Sequence, residues 1–449
     1  MDLNLRNWIE VMKKEKVLKT VSKEVSTEFE IAAIGKKLEP DYGVMFNNVK
    51  GYDVPVITGL AGTREKMASS LSLTVEELME RFNNALSLPT PCSIVPSEGL
   101  GIKENIYIGD DVDIERILPA CVHHEKDSGK YITSGMLIVK DPETGIRNVA
   151  IHRHEIKDKN HLGALLLPRH THHIFDRAEK TGKPLEVALI IGTHPVLLLA
   201  SQATTRLGID EFEIAGSLIG KPVAMTKCET VDLEVPIECE YVLEGKILPN
   251  IRKDEGPFGE YPKTYGPKRP RHVIEITAIT HRDNPIYHTI IPATMEHLLL
   301  GAIPREATMF QIVKQAVPSA FGVHLTPAGG CRYHVIIGID KKNEGEAKNA
   351  IFAAFASSSE VKQVVVVDKD IDIFDSKDVE WAIANRVQAN NDVIIVKSAM
   401  GNKLDPSSDE GVSDKMGIDA TVPLNADPER FQKINIPMYD EIILEDYLD

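Results

Sequence analysis

The stretch MLIVKDPETGIRNVAIHRHEI, residues 136–156, decides the fold class. Met136–Lys140 and Asn148–Ile156 are strand-like runs. Asp141-Pro-Glu-Thr-Gly145 between them is rich in residues that reverse a chain. Outward from this hairpin the texture stays β, with further runs at Leu185–Gly192, Pro222–Met225, Glu238–Val242, His272–Ile279 and Ile286–Ile291. Several of these alternate apolar and polar side chains, the pattern of a half-buried antiparallel sheet or small barrel. A helix is expected between strands within 164–181.

The flanks read as α/β. Leu5, Trp8, Ile9 and Met12 recur at helical spacing, and Thr74-Val-Glu-Glu77 has the form of a capping box opening a helix. Pro89, Pro91 and Pro96, followed by Gly99 and Gly101, mark a boundary. Past residue 300, Pro304 is expected at a helix start, so that Arg305 falls in the first turn. Val335–Ile339, a helix Glu344–Ala356 and Val361–Asp368 then form a βαβ-like unit. The expected division is an α/β region over 1–105, a β-rich domain over 106–300, and an α/β domain with an acidic tail over 301–449.

Composition excludes several classes. The net charge of -16 argues against nucleic-acid binding, which needs a basic face. The first dozen residues carry Asp2, Arg6 and Glu10, and no apolar run approaches the roughly 20 residues that span a bilayer. The five cysteines are scattered without CxxC spacing, so a cytoplasmic, reduced protein is expected. The stretch 404–449 holds 12 acidic and three basic residues, so much of the excess charge belongs to a tail.

Histidine placement points to chemistry. All 15 histidines lie between 123 and 334, and six fall within 147–173, where five basic residues face two acidic ones. Such a patch suits an anionic ligand or a metal, unless it is a solvated strand edge. His152 and His154 would share one face of a strand, so a zinc hydrolase of the amidohydrolase type is one alternative. A second signal is Asp254-Glu255-Gly-Pro-Phe-Gly-Glu260, whose two glutamates straddle turn residues. Beside an arginine such a pair can divide into a cation partner and a proton donor; an ordinary acidic turn is the plain alternative. No GxGxxG, Walker A or GxSxG pattern occurs.

Asn148-Val-Ala-Ile-His-Arg153, Leu167-Pro-Arg-His170, Lys227-Cys-Glu229-Thr230, Asp254-Glu-Gly-Pro-Phe-Gly-Glu260 and Ser413-Asp-Lys-Met-Gly-Ile-Asp-Ala-Thr421 together resemble the UbiD family of prenylated-flavin-dependent decarboxylases, over nearly the whole chain. The resemblance implies a central split β-barrel that binds prenylated FMN and a C-terminal α/β oligomerisation domain. It implies Asn148, His170 and Glu229 as ligands of a divalent metal, usually Mn2+, with K+ nearby. Asn148, Val149, Ala150, Ile151, His152, Arg153, Arg169, His170, Glu229 and, more loosely, Lys415 would contact the cofactor. Arg153, Glu255 and Glu260 match the family's Glu-Arg-Glu network: Arg153 grips the substrate carboxylate, Glu255 positions Arg153, and Glu260 delivers the proton that replaces carbon dioxide. The prenylated flavin, when bound, takes up the electrons that carbon dioxide leaves behind.

His297, Arg305 and Arg332 fall where the family builds its substrate pocket, and would either hold a second anionic group on a small carboxylic acid or make surface or interdomain ion pairs. The chain resembles the shorter members that act on furan dicarboxylates, so furan-2,5-dicarboxylate going to 2-furoate is the first expectation. A phosphorylated unsaturated acid, as in the archaeal mevalonate branch, is the second. A flavin or metal carrier without turnover is the non-enzymatic alternative. Partners implied are a flavin prenyltransferase as cofactor supplier and further copies of the chain, as homodimer or homohexamer. Asn148 and Arg153 have opposite strand parity, so a bulge or strand end must re-aim one of them.

Overall fold

The computed structural model describes residues 4–439 and 441–448. The chain divides into two compact units: one runs to Thr308 and takes in Pro327–Arg332 and Lys403–Ser408; the other comprises Met309–Thr326, Tyr333–Asn402 and the chain from Asp409 on. None of the described helices is long and apolar enough to cross a membrane.

In the first unit, the helix Leu5–Lys14 buries Leu5, Trp8, Ile9 and Met12, the stripe expected from their spacing. The capping box at Thr74 forms as expected: its hydroxyl accepts from the Glu77 N–H while the Glu77 carboxylate accepts from the Thr74 N–H. A small sheet orders Leu18–Val21, Gly43–Phe46, Val56–Thr58 and Tyr287–His288, so its last strand comes from far along the chain.

The central sheet has nine strands, and every pairing in it is antiparallel. Its path runs Tyr131–Ile132, His154–Asp158, His161–Ala164, Arg269–His281, Tyr241–Glu255, Leu185–Ile191, Met136–Lys140, Arg147–Ile151, with Asn105–Ile108 added beside Arg269–His281. The expected hairpin is present, with Met136 facing Ile151 and Lys140 facing Arg147. The expected single strand 148–156 is not: it breaks at His152 and Arg153 into Arg147–Ile151 and His154–Asp158, which lie toward opposite ends of the sheet. Three peptide links separate Ile151 from His154, so these strands approach within about 11 Å. No pairing closes that seam among the described residues. The sheet is therefore curled and open, a split barrel whose seam is crossed by the His152–Arg153 link. This break re-aims Arg153 relative to Asn148.

One core joins the curled sheet to the N-terminal sheet, with Phe46, Val56, Leu137, Leu189, Tyr241, Ile276 and Tyr287 in a single cluster. The run expected at Glu238–Val242 is the start of a 15-residue strand, Tyr241–Glu255. Its second half, Pro-Asn-Ile-Arg-Lys-Asp, is mostly exposed and carries no apolar alternation to announce it.

Pro304 corrects a second expectation. It lies inside the 22-residue helix Met295–Ala316, not at its start. An interior proline costs a helix about 3 kcal/mol and frees a carbonyl one turn back. The helix continues because Leu298, Leu299, Ala302, Ile303, Ala307 and Val313 are buried along it. Arg305 is therefore mid-helix, with its Nη1 donating to the Gly301 carbonyl at 2.7 Å.

The second unit is built on a five-stranded sheet ordered Ala320–Leu325, His334–Ile339, Gln363–Asp368, Val412–Ala420, Val393–Met400. His334–Ile339 and Gln363–Asp368 pair in parallel, connected through the helix Glu346–Ser357, which is the expected βαβ unit.

Candidate active site

Arg153, Glu255 and Glu260 converge. Arg153 occupies the seam link, Glu255 ends the strand Tyr241–Glu255, and Glu260 follows the short strand Phe258–Gly259. The guanidinium binds Glu255 bidentately, Nε to Oε1 at 2.9 Å and Nη2 to Oε2 at 2.8 Å. Its Nη1 donates to Glu260 Oε1, and the cation lies 4.9 Å from the centre of the Phe258 ring. Glu255 is fully buried and Glu260 is 8 % exposed. Both Glu255 oxygens are thus committed to Arg153, whereas Glu260 is held at one oxygen. Two carboxylates around one guanidinium can also take up one proton without acquiring net positive charge.

This trio has further support that sequence reading missed. The Tyr131 hydroxyl lies 3.2 Å from Glu255 Oε1 and 3.3 Å from Glu155 Oε2. Glu155 accepts the Gly256 N–H at 3.1 Å and pairs with Lys157 at 2.6 Å. Gly256 has φ +84, and a Cβ there would stand 3.1 Å from the Pro267 carbonyl oxygen, so the turn after Glu255 requires glycine.

Asn148 and His170 line one pocket, together with Arg147 and the loop at Leu207 and Gly208. Asn148 is fixed at both ends of its amide: Nδ2 donates to Glu211 Oε1 at 2.9 Å, and Oδ1 accepts from the Thr171 hydroxyl at 2.8 Å. Glu211, also missed from sequence, takes the Val149 N–H on its other oxygen at 2.7 Å. Burial pushes the Glu211 carboxyl up to about 8, against the pull of the Val149 N–H. His170 is the first residue of the helix His170–Lys180, with Arg169 as its N-cap. Burial, then Arg169 and His173, lower the His170 ring below its ordinary value.

Glu229 stands on a separate loop after the strand Ala224–Lys227 and pairs with Lys103 at 2.6 Å. Its backbone N–H and that of Thr230 are both gripped by the buried carboxylate of Glu244, at 2.7 and 2.6 Å. Among the described residues no hydrogen bond joins Glu229 to Asn148 or His170. An amide oxygen, an imidazole and a carboxylate are nonetheless donor types suited to a hard or borderline divalent cation.

Val149, Ala150 and Ile151 are ladder residues opposite Ile138, Leu137 and Met136. His152 and His154 do not form a metal pair. Their rings meet edge-on at 6.3 Å, and the His152 nitrogens face the Leu165 carbonyl and the Thr171 hydroxyl, each at 3.3 Å. Among the described residues no group of three His, Cys, Asp or Glu side chains is placed to hold a metal ion. Lys415 has another occupation: its Nζ donates to the Ser359 and Val361 carbonyls at 3.0 and 2.7 Å, within the second unit. The expected cofactor contact at Lys415 finds no support in that geometry.

His297, Arg305 and Arg332 are brought together. Burial, then Arg332 and Arg305, push the His297 ring down to about 3. Its Nδ1 accepts the Ala293 N–H at 3.1 Å. Arg332 packs so close to the helix that a Cβ on Gly301 would stand 1.8 Å from its Nη2. The same guanidinium lies 5.3 Å from the centre of the Tyr261 ring, on the residue following Glu260.

Buried histidines make stability depend on pH. Burial holds His123, His152 and His272 down to about 4, and His154, His194 and His297 to about 3, against the ordinary 6.5. Between 6.5 and those values the unfolded chain binds more protons than the native one. The contribution of these histidines to stability is therefore full above pH 6.5 and falls as pH drops toward 4. The denaturant midpoint is expected to be lower at about pH 5 than at about pH 7; an equal or higher midpoint would contradict this.

Known proteins of similar sequence and structure share this fold. Models of the N-terminal, Rift-related and C-terminal domains of 3-octaprenyl-4-hydroxybenzoate carboxy-lyase match residues 9–86, 94–295 and 298–420. The chain is 40% identical over 432 residues to anhydromevalonate phosphate decarboxylase of Methanothermobacter thermautotrophicus, covering 96% of this chain and 99% of that one. It is 33% identical to gallate decarboxylase of Lactiplantibacillus plantarum, over 85% and 84% of the two chains. The UbiD-class enzyme HmfF from Pelotomaculum thermopropionicum, solved in complex with FMN, superposes with a TM-score of 0.97 at 58% identity, over 99% of this chain and 100% of that one. An evolved dimeric form of HmfF, in complex with prFMN, gives 0.94 at 53% identity, over the whole of both chains. With all three domains matched in order, the chain belongs to the UbiD family of carboxy-lyases.

Proposed function

We propose that this protein is a prenylated-FMN-dependent decarboxylase of an unsaturated or heteroaromatic acid that carries a second anionic group, with furan-2,5-dicarboxylate going to 2-furoate and carbon dioxide as its reaction. The observation that carries the substrate class is the cluster of His297, Arg305 and Arg332, tied through Tyr261 to the loop bearing Glu260. The FMN and prFMN of the HmfF structures support the cofactor in this reading. Asn148, His170 and Glu229 would hold Mn2+, whose charge would favour an anionic cofactor, and K+ would be a second cation. A flavin prenyltransferase as supplier, and assembly as a homodimer or homohexamer, go with this reading.

The residues divide the work by charge. Glu255 occupies Nε and Nη2 of Arg153, so the guanidinium keeps its orientation while Nη1 exchanges partners. A substrate carboxylate takes Nη1 in place of Glu260. Glu260, displaced and protonated, then faces the reacting carbon. The bond to the carboxyl carbon breaks, carbon dioxide leaves uncharged, and the Glu260 proton goes to the ring carbon. Glu260 is left as a carboxylate and returns to Arg153. The flavin, when bound, supplies the electron sink for the pair released from the carbon–carbon bond.

A second reading, a phosphorylated unsaturated acid, is favoured by the 40% identity to anhydromevalonate phosphate decarboxylase. A substrate panel separates the two: furan-2,5-dicarboxylate, 2-furoate and a phosphorylated unsaturated acid, each with wild type and Arg305→Ala. Wild type is expected to convert the dicarboxylate, and Arg305→Ala to raise its KM about 10- to 100-fold, the worth of one charged hydrogen bond. Turnover of the phosphorylated acid alone would establish the second reading. A preference indifferent to Arg305→Ala would remove the cationic pocket from both.

A further inference from the structure

The loop from Glu255 to Glu260 is held from outside by the segment 127–131. The Tyr131 hydroxyl reaches Glu255, the Ser128 N–H donates to the Pro257 carbonyl at 3.0 Å, and Asp127 Oδ1 accepts the Gly259 N–H at 2.9 Å. The contacts thus fall on alternate residues of the loop. Asp127 has a fully buried carboxylate, and its Oδ2 accepts the N–H groups of His123 and His124 at 3.2 and 2.9 Å. Burial would push this carboxyl up, but the hydrogen bonds from His124 and the Gly259 N–H outweigh it and hold it below its ordinary range. The His124 ring lies against the same glycine: a Cβ on Gly259 would stand 2.4 Å from His124 Nδ1. Gly259 is fixed by a hydrogen bond and a ring, and the next residue is Glu260.

We propose that Asp127 is a positioning residue for the reaction, pinning Gly259 so that the Glu260 carboxyl meets both Arg153 and the reacting carbon. This rests on Glu260 as the proton donor. Gly259 has no side chain with which to anchor itself, so its place depends on what grips its backbone. Misplacing a reacting group by about 1 Å costs about 100-fold in rate. Asparagine cannot stand in for the aspartate. Asp127 accepts three N–H groups on two oxygens, and an amide must turn its own NH2 toward one of those donors.

The test is a double-mutant cycle on flavin-loaded protein, following release of labelled carbon dioxide from carboxyl-labelled furan-2,5-dicarboxylate, or from the phosphorylated acid if the panel selects it. Asp127→Asn is expected to lower kcat about 100-fold while KM and bound flavin stay at wild-type values, with a thermal midpoint lowered by the buried donor left unsatisfied. Added to Glu260→Gln it should cost nothing more, because a loop with no proton to deliver has none to misplace. Gly259→Ala disturbs the same residue through His124 and should show the same kcat-only loss and the same coupling, which covers the case in which Asp127→Asn fails to fold. Additive losses, a change confined to KM or thermal midpoint, or full activity in both variants would overturn the role of Asp127. Full activity in Glu260→Gln by itself would instead remove the proton donor, a distinct outcome.

Discussion

Glu260→Gln is expected to turn over about 1,000-fold more slowly than the wild type, with flavin content, metal content and substrate affinity kept, the signature of a lost general acid. The amide keeps the size of the carboxyl and an oxygen to accept from Arg153 Nη1. It cannot give up a proton to carbon. The change also removes one of two negative charges beside Arg153, leaving the guanidinium balanced by Glu255 alone. Substrate carboxylate then competes with a neutral amide for Nη1, so affinity holds or rises while the chemical step fails. Single-turnover measurement on flavin-loaded protein reads the step directly, and a wild-type rate would refute the acid role. Glu255 is the contrasting partner, because both of its oxygens serve to orient Arg153.

What the sequence reveals and what it hides follow a physical division. Arg153, Glu255 and Glu260 are legible because their turn residues and charges sit in short, distinctive segments. The parity conflict between Asn148 and Arg153 also shows in the sequence, and the seam at His152 and Arg153 resolves it. Pro304 misleads because propensity is local, whereas the burial that carries its helix through is tertiary. The supporting carboxylates are invisible for a stricter reason. Glu211, Glu244, Glu155 and Asp127 each accept backbone N–H groups: Val149, Glu229 and Thr230, Gly256, and Gly259 with His123 and His124. A backbone donor carries no residue identity, so spacing gives no signal of such a bond. Buried acids such as Glu244 and Glu155 also qualify the formal net charge of -16, part of which is structural and faces inward.

The proposed metal ligands set the other large effect. His170→Ala is expected to yield a folded protein that has lost manganese and flavin together. The position tolerates the change locally: it opens the helix His170–Lys180, alanine is the best helix former, and the ring is only partly buried. The thermal midpoint without cofactor should therefore stay near that of the wild type. Binding is another matter. Asn148 is preset by Glu211 and Thr171, and Glu229 by Glu244, so two donors survive in place. Neither replaces an imidazole. Loss of a partner one shell further out already weakens metal sites about 10- to 100-fold, and a direct ligand should cost at least as much. If the flavin phosphate is held through that cation, flavin leaves with it. Protein loaded with both, then passed over a desalting column, should show manganese and visible absorbance falling in parallel. A normal flavin spectrum with normal manganese content would strike His170 from the ligand set. Manganese lost with flavin retained would break the coupling between them and place the flavin phosphate on protein groups alone.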